Sequence, residues 1–256
     1  MISALAEEGV AKVEGLFTPG QMNDLRAAAF EVMRDVGKEE RAYAAGGRMQ
    51  WRDGGMSNES LSFGGFSYPA LMFWPRLVNM AFEEVTTDAY LSNLIHDELG
   101  DDVRQLNNQL YFRLPGDEDA FDWHTDMAFR TGVRPGIETG YIQTMLCIDP
   151  MTEDNGCIWF VSGSHRLKSG FREGKPGRHS PGPLPDGMEA RPMTAKSGDL
   201  LLWSAATVHG SFPNISDRPR MSYMNGFAKA DFCDAWPWYL KGGELQPCDN
   251  SEIPYT

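Results

Sequence analysis

Near the middle of the chain, Asp122-Trp123-His124-Thr125-Asp126-Met127 places a histidine and a carboxylate two residues apart. On an extended chain, side chains at i and i+2 leave on the same side, so His124 and Asp126 can reach one ion. A solvated strand pair would carry the same two residues, so the pair alone is ambiguous. His209 stands downstream, just past the apolar run of "GDLLLWSAATVHGSFPN". Two imidazoles and one carboxylate are the donor set of the facial triad that holds non-haem Fe(II) and leaves positions open for other ligands. With five histidines in 256 residues, such a trio also arises by chance. A further element narrows the choice. Arg220 lies eleven residues beyond His209, on the next strand-like run. A guanidinium there can bind a dicarboxylate co-substrate through two parallel hydrogen bonds. Ser211, two residues after His209, can add a hydroxyl to the same carboxylate.

The elements that must position these groups fall into two textures. Residues 17–36 read as a helix, with Thr18 as cap, Pro19 in the first turn and Gln21 completing a capping box. Its apolar stripe is Leu25, Ala28, Ala29, Val32 and Met33. A second helix is expected over 76–99, buried on the side of Leu77, Met80, Ala81, Val85, Leu91, Leu94, Ile95 and Leu99, with Gly100 as its stop. Between them, residues 37–75 are rich in Gly, Ser and aromatics without a period and read as a long loop, lid-like or simply wrapped on the core. After Gly100 come short strand-like runs: "VRQLNNQLYFRL", "GYIQTMLCID", "CIWFVSG", "GDLLLWSA" and "RMSYMNGFA". Residues 169–193, rich in Pro and Gly, read as a loop. The order predicts a mainly β protein with N-terminal helices, a barrel or jelly roll.

Composition bounds the partners. The net charge of -13 argues against nucleic acid and against an anionic membrane surface. A local cluster of arginines still allows an anionic small molecule. No apolar run reaches the length of a spanning helix. The N-terminus carries acids early and has no basic segment ahead of a long apolar one, so no secretory signal is expected. Four widely spaced cysteines without a CxxC fit a reducing cytoplasm better than a disulfide framework or a structural zinc site.

Three stretches together resemble the phytanoyl-CoA dioxygenase family of Fe(II)/2-oxoglutarate-dependent oxygenases. They are "QLYFRLPGDEDAFDWHTD" at 109–126, "EDNGCIWFVSGSHR" at 153–166 and "GDLLLWSAATVHGSFPNISDRPRMS" at 198–222. The resemblance spans residues 105–228 in order. It implies a double-stranded β-helix (a cupin-like jelly roll). One domain over 1–256 is expected, with a helical annex and lid-like loop at 1–100, the core at 101–230 and a C-terminal extension at 231–256. It implies His124, Asp126 and His209 as iron ligands, Arg220 and Ser211 on the far carboxylate of 2-oxoglutarate, and Gln109 near the co-substrate or substrate. The cofactors implied are Fe(II), 2-oxoglutarate and O2. The reaction implied is hydroxylation of an unactivated C–H of a small organic molecule, with 2-oxoglutarate converted to succinate and CO2. Relatives that halogenate lack the carboxylate, so Asp126 favours hydroxylation, desaturation or rearrangement over halogenation. The sequence departs from the family pattern at Thr125, Met145 and Ser162, which bear on pocket shape.

Substrate contacts are expected from Met127, Phe129 and Arg130, directly after the HxD motif. Arg113 and Arg134 are candidates for an anionic group, and "FGGFSYPALMFW" at 63–74 is a candidate to close over the iron. Trp123 and Trp203 are expected to buttress the ligands, His165 to be structural, and His96 and His179 to be exposed. The rival readings are a jelly-roll module that binds a metabolite or sugar without catalysis, and a cupin-like zinc or manganese enzyme that uses no keto-acid.

Overall fold

The computed structural model describes residues 2–34, 48–50, 62–63, 66–67, 71–116, 120–129, 133–167, 176–178 and 181–253. In chain order its strands are β1 (Val10–Val13), β2 (Arg48–Gln50), β3 (Ser62–Phe63), β4 (Phe66–Ser67), β5 (Leu71–Phe73), β6 (Val103–Arg113), β7 (Ala120–His124), β8 (Tyr141–Cys147), β9 (Ile158–Phe160), β10 (Pro176–Arg178), β11 (Arg191–Met193), β12 (Leu200–Ser204), β13 (His209–Ser211), β14 (Arg220–Lys229), β15 (Trp238–Lys241) and β16 (Glu244–Leu245). The larger sheet runs β1-β12-β8-β14-β6-β15-β16, with β5 also on β6 and β2 on β5. The smaller sheet runs β10-β7-β13-β9-β11. The two sheets form the jelly roll, and the strands that carry the candidate ligands belong to the smaller one.

The helices cover the outer face of the larger sheet. Thr18 and Gln21 form the expected reciprocal cap: Thr18 N donates to Gln21 Oε1 at 2.9 Å and Gln21 N to Thr18 Oγ1 at 3.3 Å. The helix Pro19–Arg34 buries Met22, Leu25, Ala28, Ala29 and Val32 in one cluster with Leu110, Phe112, Leu146, Leu200, Leu202 and Met221. These sheet residues are even-numbered positions of β6, β8 and β12 together with Met221 of β14, which pairs with Phe112, as a period of two requires. Each fully buried Leu contributes roughly 1.5–3 kcal/mol of transfer free energy.

The second helical stretch is broken where a continuous helix was expected. A tight turn at Pro75–Leu77 precedes Met80–Thr86, and a separate helix Ala89–Leu99 follows. Two side chains make the break. Asn79 Oδ1 accepts from Ala81 N at 2.9 Å, and Asp88 Oδ1 accepts from Tyr90 N at 2.9 Å, so each starts a new helix. Gly100 ends the last one at φ 89.

Strands from outside residues 101–230 join the sheet. β1 pairs β12, β5 pairs β6, and β15 pairs β6 at its other end. Parts of the 37–75 and 169–193 segments expected to be loops are strands, namely β2 to β5 and then β10 and β11. The expected lid at 63–74 is described only in pieces. Its last part, β5, lies between β2 and β6, with Leu71 opposite Tyr111 and Phe73 opposite Gln109. Among the described residues no helix is long and apolar enough to cross a membrane.

Candidate active site

His124 ends β7 and His209 begins β13, and the two are direct partners across the smaller sheet. Their ring centroids lie 4.2 Å apart. Asp126 is not on the strand. It opens a short turn, Asp126–Phe129, which swings its carboxylate back toward the rings. His209 Nε2 lies 4.0 Å from Asp126 Oδ2, and one donor atom from each of the three residues falls within 4.8 Å of the others. All three are buried. Among the described residues this is the one group of three or more His, Cys, Asp or Glu side chains that can hold a metal.

The imidazoles are set for ligation. His124 Nδ1 lies 2.7 Å from Asp122 O, and His209 Nδ1 lies 2.9 Å from Thr207 O. A carbonyl only accepts, so each Nδ1 carries a proton, and Nε2 is the ring atom turned to the other donors. The strand fold supplies this on its own, because each acceptor is the carbonyl two residues before the histidine. Asp126 is oriented from the opposite sheet. Trp203 Nε1 on β12 donates to its Oδ2 at 2.7 Å. Two imidazoles and one oriented carboxylate fit a divalent iron.

A second polar group lies on the inner face of the larger sheet. Opposite residues of neighbouring strands share a face, and Trp203, Gln143, Gly226 and Asn107 form one such row across β12, β8, β14 and β6. Trp203 reaches Asp126, so this face looks toward the triad. The same face carries Arg113 opposite Arg220 at the other end of β6 and β14. Arg113 Nη2 donates to Ser211 Oγ at 2.6 Å and its Nη1 to Phe212 O at 3.3 Å. Arg220 Nη1 donates to Gly156 O at 2.5 Å. Arg220 Nε and Ser222 Oγ are buried and make no hydrogen bond among the described residues. A buried donor left unpaired costs roughly 1–3 kcal/mol. Burial, and then the charge of Arg113, push Arg220 down to about 10. The pair is a cationic recess suited to a carboxylate. Asn214 shapes it by donating from Nδ2 to Arg113 O at 3.2 Å and to Arg218 O at 2.8 Å. Arg218 itself is exposed beside Asp217.

The other expected residues are spread more widely. Gln109 is half-buried on the inner face of β6, and its Oε1 accepts from Asn107 Nδ2 at 3.2 Å. Met127 packs with Leu106, Ile137, Tyr141 and Ala205. Arg130 and the Phe129 side chain lie outside the described residues, as does His179. Arg134 is exposed, donates to Asp231 O and pairs with Asp234 on the surface. His165 Nε2 lies 3.1 Å from Ala6 O, and exposed His96 sits 2.8 Å from Asp101. Cys147 and Cys157 are buried free thiols, and burial pushes the Cys157 thiol up to about 11, so they stay protonated and behave as small apolar groups.

Sequence reasoning missed Asn107, Tyr141, Gln143 and Ser222. Tyr141 donates to Gln143 Oε1 at 2.6 Å, and Asn107 Nδ2 lies 3.3 Å from the same oxygen. The available signal was alternation: Asn107, Gln109 and Arg113 share parity on one strand, and so do Arg220 and Ser222.

Comparison with known proteins agrees with this geometry. A family model described as phytanoyl-CoA dioxygenase (PhyH) matches residues 5–222. A relative from Stutzerimonas stutzeri, named "Probable alpha-ketoglutarate-dependent hypophosphite dioxygenase", is 28% identical over 171 residues, 64% of this chain and 57% of its own. The chain spans about half the length of the curated relatives it matches. Among solved structures, EctD from S. alaskensis in its apoform superposes with a TM-score of 0.70 at 19% identity, covering 96% of this chain and 80% of its own. The epimerase SnoN, in complex with Fe3+, alpha ketoglutarate and nogalamycin RO, gives 0.64 at 16% identity, covering 99% and 93%. At these identities the structural likeness is one of fold.

Proposed function

The chain belongs to the phytanoyl-CoA dioxygenase family, and from that premise we propose that it is an Fe(II)- and 2-oxoglutarate-dependent oxygenase that hydroxylates a small organic molecule. The observation that carries this reading is the convergence of His124, Asp126 and His209, with each imidazole Nδ1 turned to a backbone carbonyl. Bound together, iron and 2-oxoglutarate supply an oxidant able to attack an unactivated C–H, drawn from O2 as the keto-acid goes to succinate and CO2.

The chain's own residues do the rest. His124, Asp126 and His209 hold the metal. Arg220, Arg113, Ser211 and Ser222 take the far carboxylate of 2-oxoglutarate, which satisfies the buried Arg220 Nε and Ser222 Oγ. Two guanidiniums can share one carboxylate through charge-assisted hydrogen bonds. Arg113 is thereby assigned to the co-substrate, as its bond to Ser211 favours, and no longer to the substrate. Gln109, farther along the same face, contacts the keto-acid or substrate. The substrate lies over Met127 and the row of Asn107, Gln143 and Tyr141. Burial of the triad keeps water from the reacting centre.

Asp126 occupies the position a halide would need, which supports oxygen insertion over halogenation. A shared fold with an epimerase means that product analysis, not fold, distinguishes hydroxylation from epimerisation. The four free cysteines suit a reducing compartment such as the cytoplasm. The test is succinate formation from 2-oxoglutarate with Fe(II), run with and without candidate substrates. Wild type should form succinate, and His124→Ala should abolish it. An equal rate in His124→Ala would remove the iron assignment.

A further inference from the structure

We propose that Trp203 is a positioning residue that holds Asp126 as a one-oxygen ligand of the metal. This deepens the iron reading and rests on it. An indole N–H can only donate, and Trp203 is fully buried, so its Nε1 needs an acceptor. Asp126 Oδ2 is that acceptor, at 2.7 Å. The direction of control runs from the indole to the carboxylate. Trp203 sits mid-sheet, with Val10 on one side and Gln143 on the other, so its backbone is fixed by two neighbouring strands. Its ring is wedged between Phe160, at 5.4 Å, and His209, at 5.3 Å. Asp126 stands instead at the opening of a short turn, outside both sheets.

A carboxylate without a fixed partner can rotate and chelate a metal through both oxygens. That would take a position the co-substrates need. The indole N–H engages one oxygen's lone pair and fixes the carboxylate plane, which favours single-oxygen ligation. One side chain thus orients Asp126 by a hydrogen bond and His209 by ring contact, from the opposite sheet.

The test uses the full chain under anaerobic conditions. Trp203→Phe removes the donor and keeps most of the ring volume. Its Co(II) affinity, read by competition with a chromophoric chelator, should fall about 10- to 100-fold. Affinity of the Co(II)-loaded protein for 2-oxoglutarate should fall as well. Values within twofold of wild type would overturn the proposal. A second measurement covers the case in which that variant fails to fold. In metal-free wild type, one of the seven indole N–H signals should be shifted by the carboxylate and slow to exchange. In Asp126→Ala that signal should move and exchange faster, whereas an unchanged indole region would overturn the proposal. If the iron reading fails instead, wild type binds no metal while the indole signal still responds to Asp126→Ala.

Discussion

Arg113 and Arg220 are direct partners across β6 and β14, and both guanidinium groups are buried. Two like charges held together away from water destabilise the empty protein, and a dianion relieves them. Arg220→Met should therefore separate binding from stability. Affinity for 2-oxoglutarate should fall by at least ~30-fold, about 2 kcal/mol. The thermal midpoint of the ligand-free protein should stay level or rise. Calorimetric titration and a melting curve check both halves, and a variant that melts lower while binding normally would contradict the assignment.

The same pair gives a pH dependence. Arg220 is pushed down to about 10 in the folded protein, by burial first and Arg113 second, from an ordinary value of 12.5. Between those values the unfolded chain binds more protons, so this group makes stability rise with pH in that window and gives a constant penalty below it. Binding runs the other way. Affinity for 2-oxoglutarate should be flat from about pH 7 to 9 and fall above about pH 10 as the free protein loses the Arg220 charge. Titrations across that range check this, and a steady decline already from neutral pH would point to another group.

Gly226 gives the Tyr141 side chain its place on the inner face. A Cβ there would meet the Tyr141 hydroxyl at 2.0 Å and Asn107 Cβ at 2.8 Å. Gly226→Ala should displace Tyr141 from Gln143 and destabilise the fold by about 1–3 kcal/mol. Because His124 and His209 stand on the other sheet and Asp126 in the turn after β7, metal binding should survive while substrate-coupled turnover falls. Comparing metal affinity with coupled succinate formation tests this, and equal loss of both would show a general collapse.

Away from the site, Leu25→Ala should cost about 2–5 kcal/mol by opening a cavity between the helix Pro19–Arg34 and the larger sheet. Asp88→Ala should cost only about 1 kcal/mol, since it removes the cap on Tyr90 and Leu91. Denaturant melts give both numbers, and the order Leu25 well above Asp88 is the expected outcome.

The triad was legible because local geometry supplies much of it. His124 and Asp126 are neighbours in sequence, and the distal His209 follows an apolar strand. The cap at Thr18 and the stop at Gly100 were legible for the same reason. What was not legible depends on register and closure. Arg113 meets Arg220 only because β6 and β14 pair in one register, and Trp203 meets Asp126 only because two sheets face each other. The break before Ala89 was hidden because Asp88 interrupts a stripe of apolar residues that continues on both sides. β1 and β15 looked like appendages because edge pairing is non-local and leaves little trace in a short run.

Anaerobic equilibrium dialysis against Fe(II), with and without 2-oxoglutarate, tests the central claim most directly. The wild-type chain should retain stoichiometric iron, hold it more tightly when the keto-acid is present, and lose it in His209→Ala. Iron retained equally by wild type and His209→Ala, or unaffected by 2-oxoglutarate, would contradict the account.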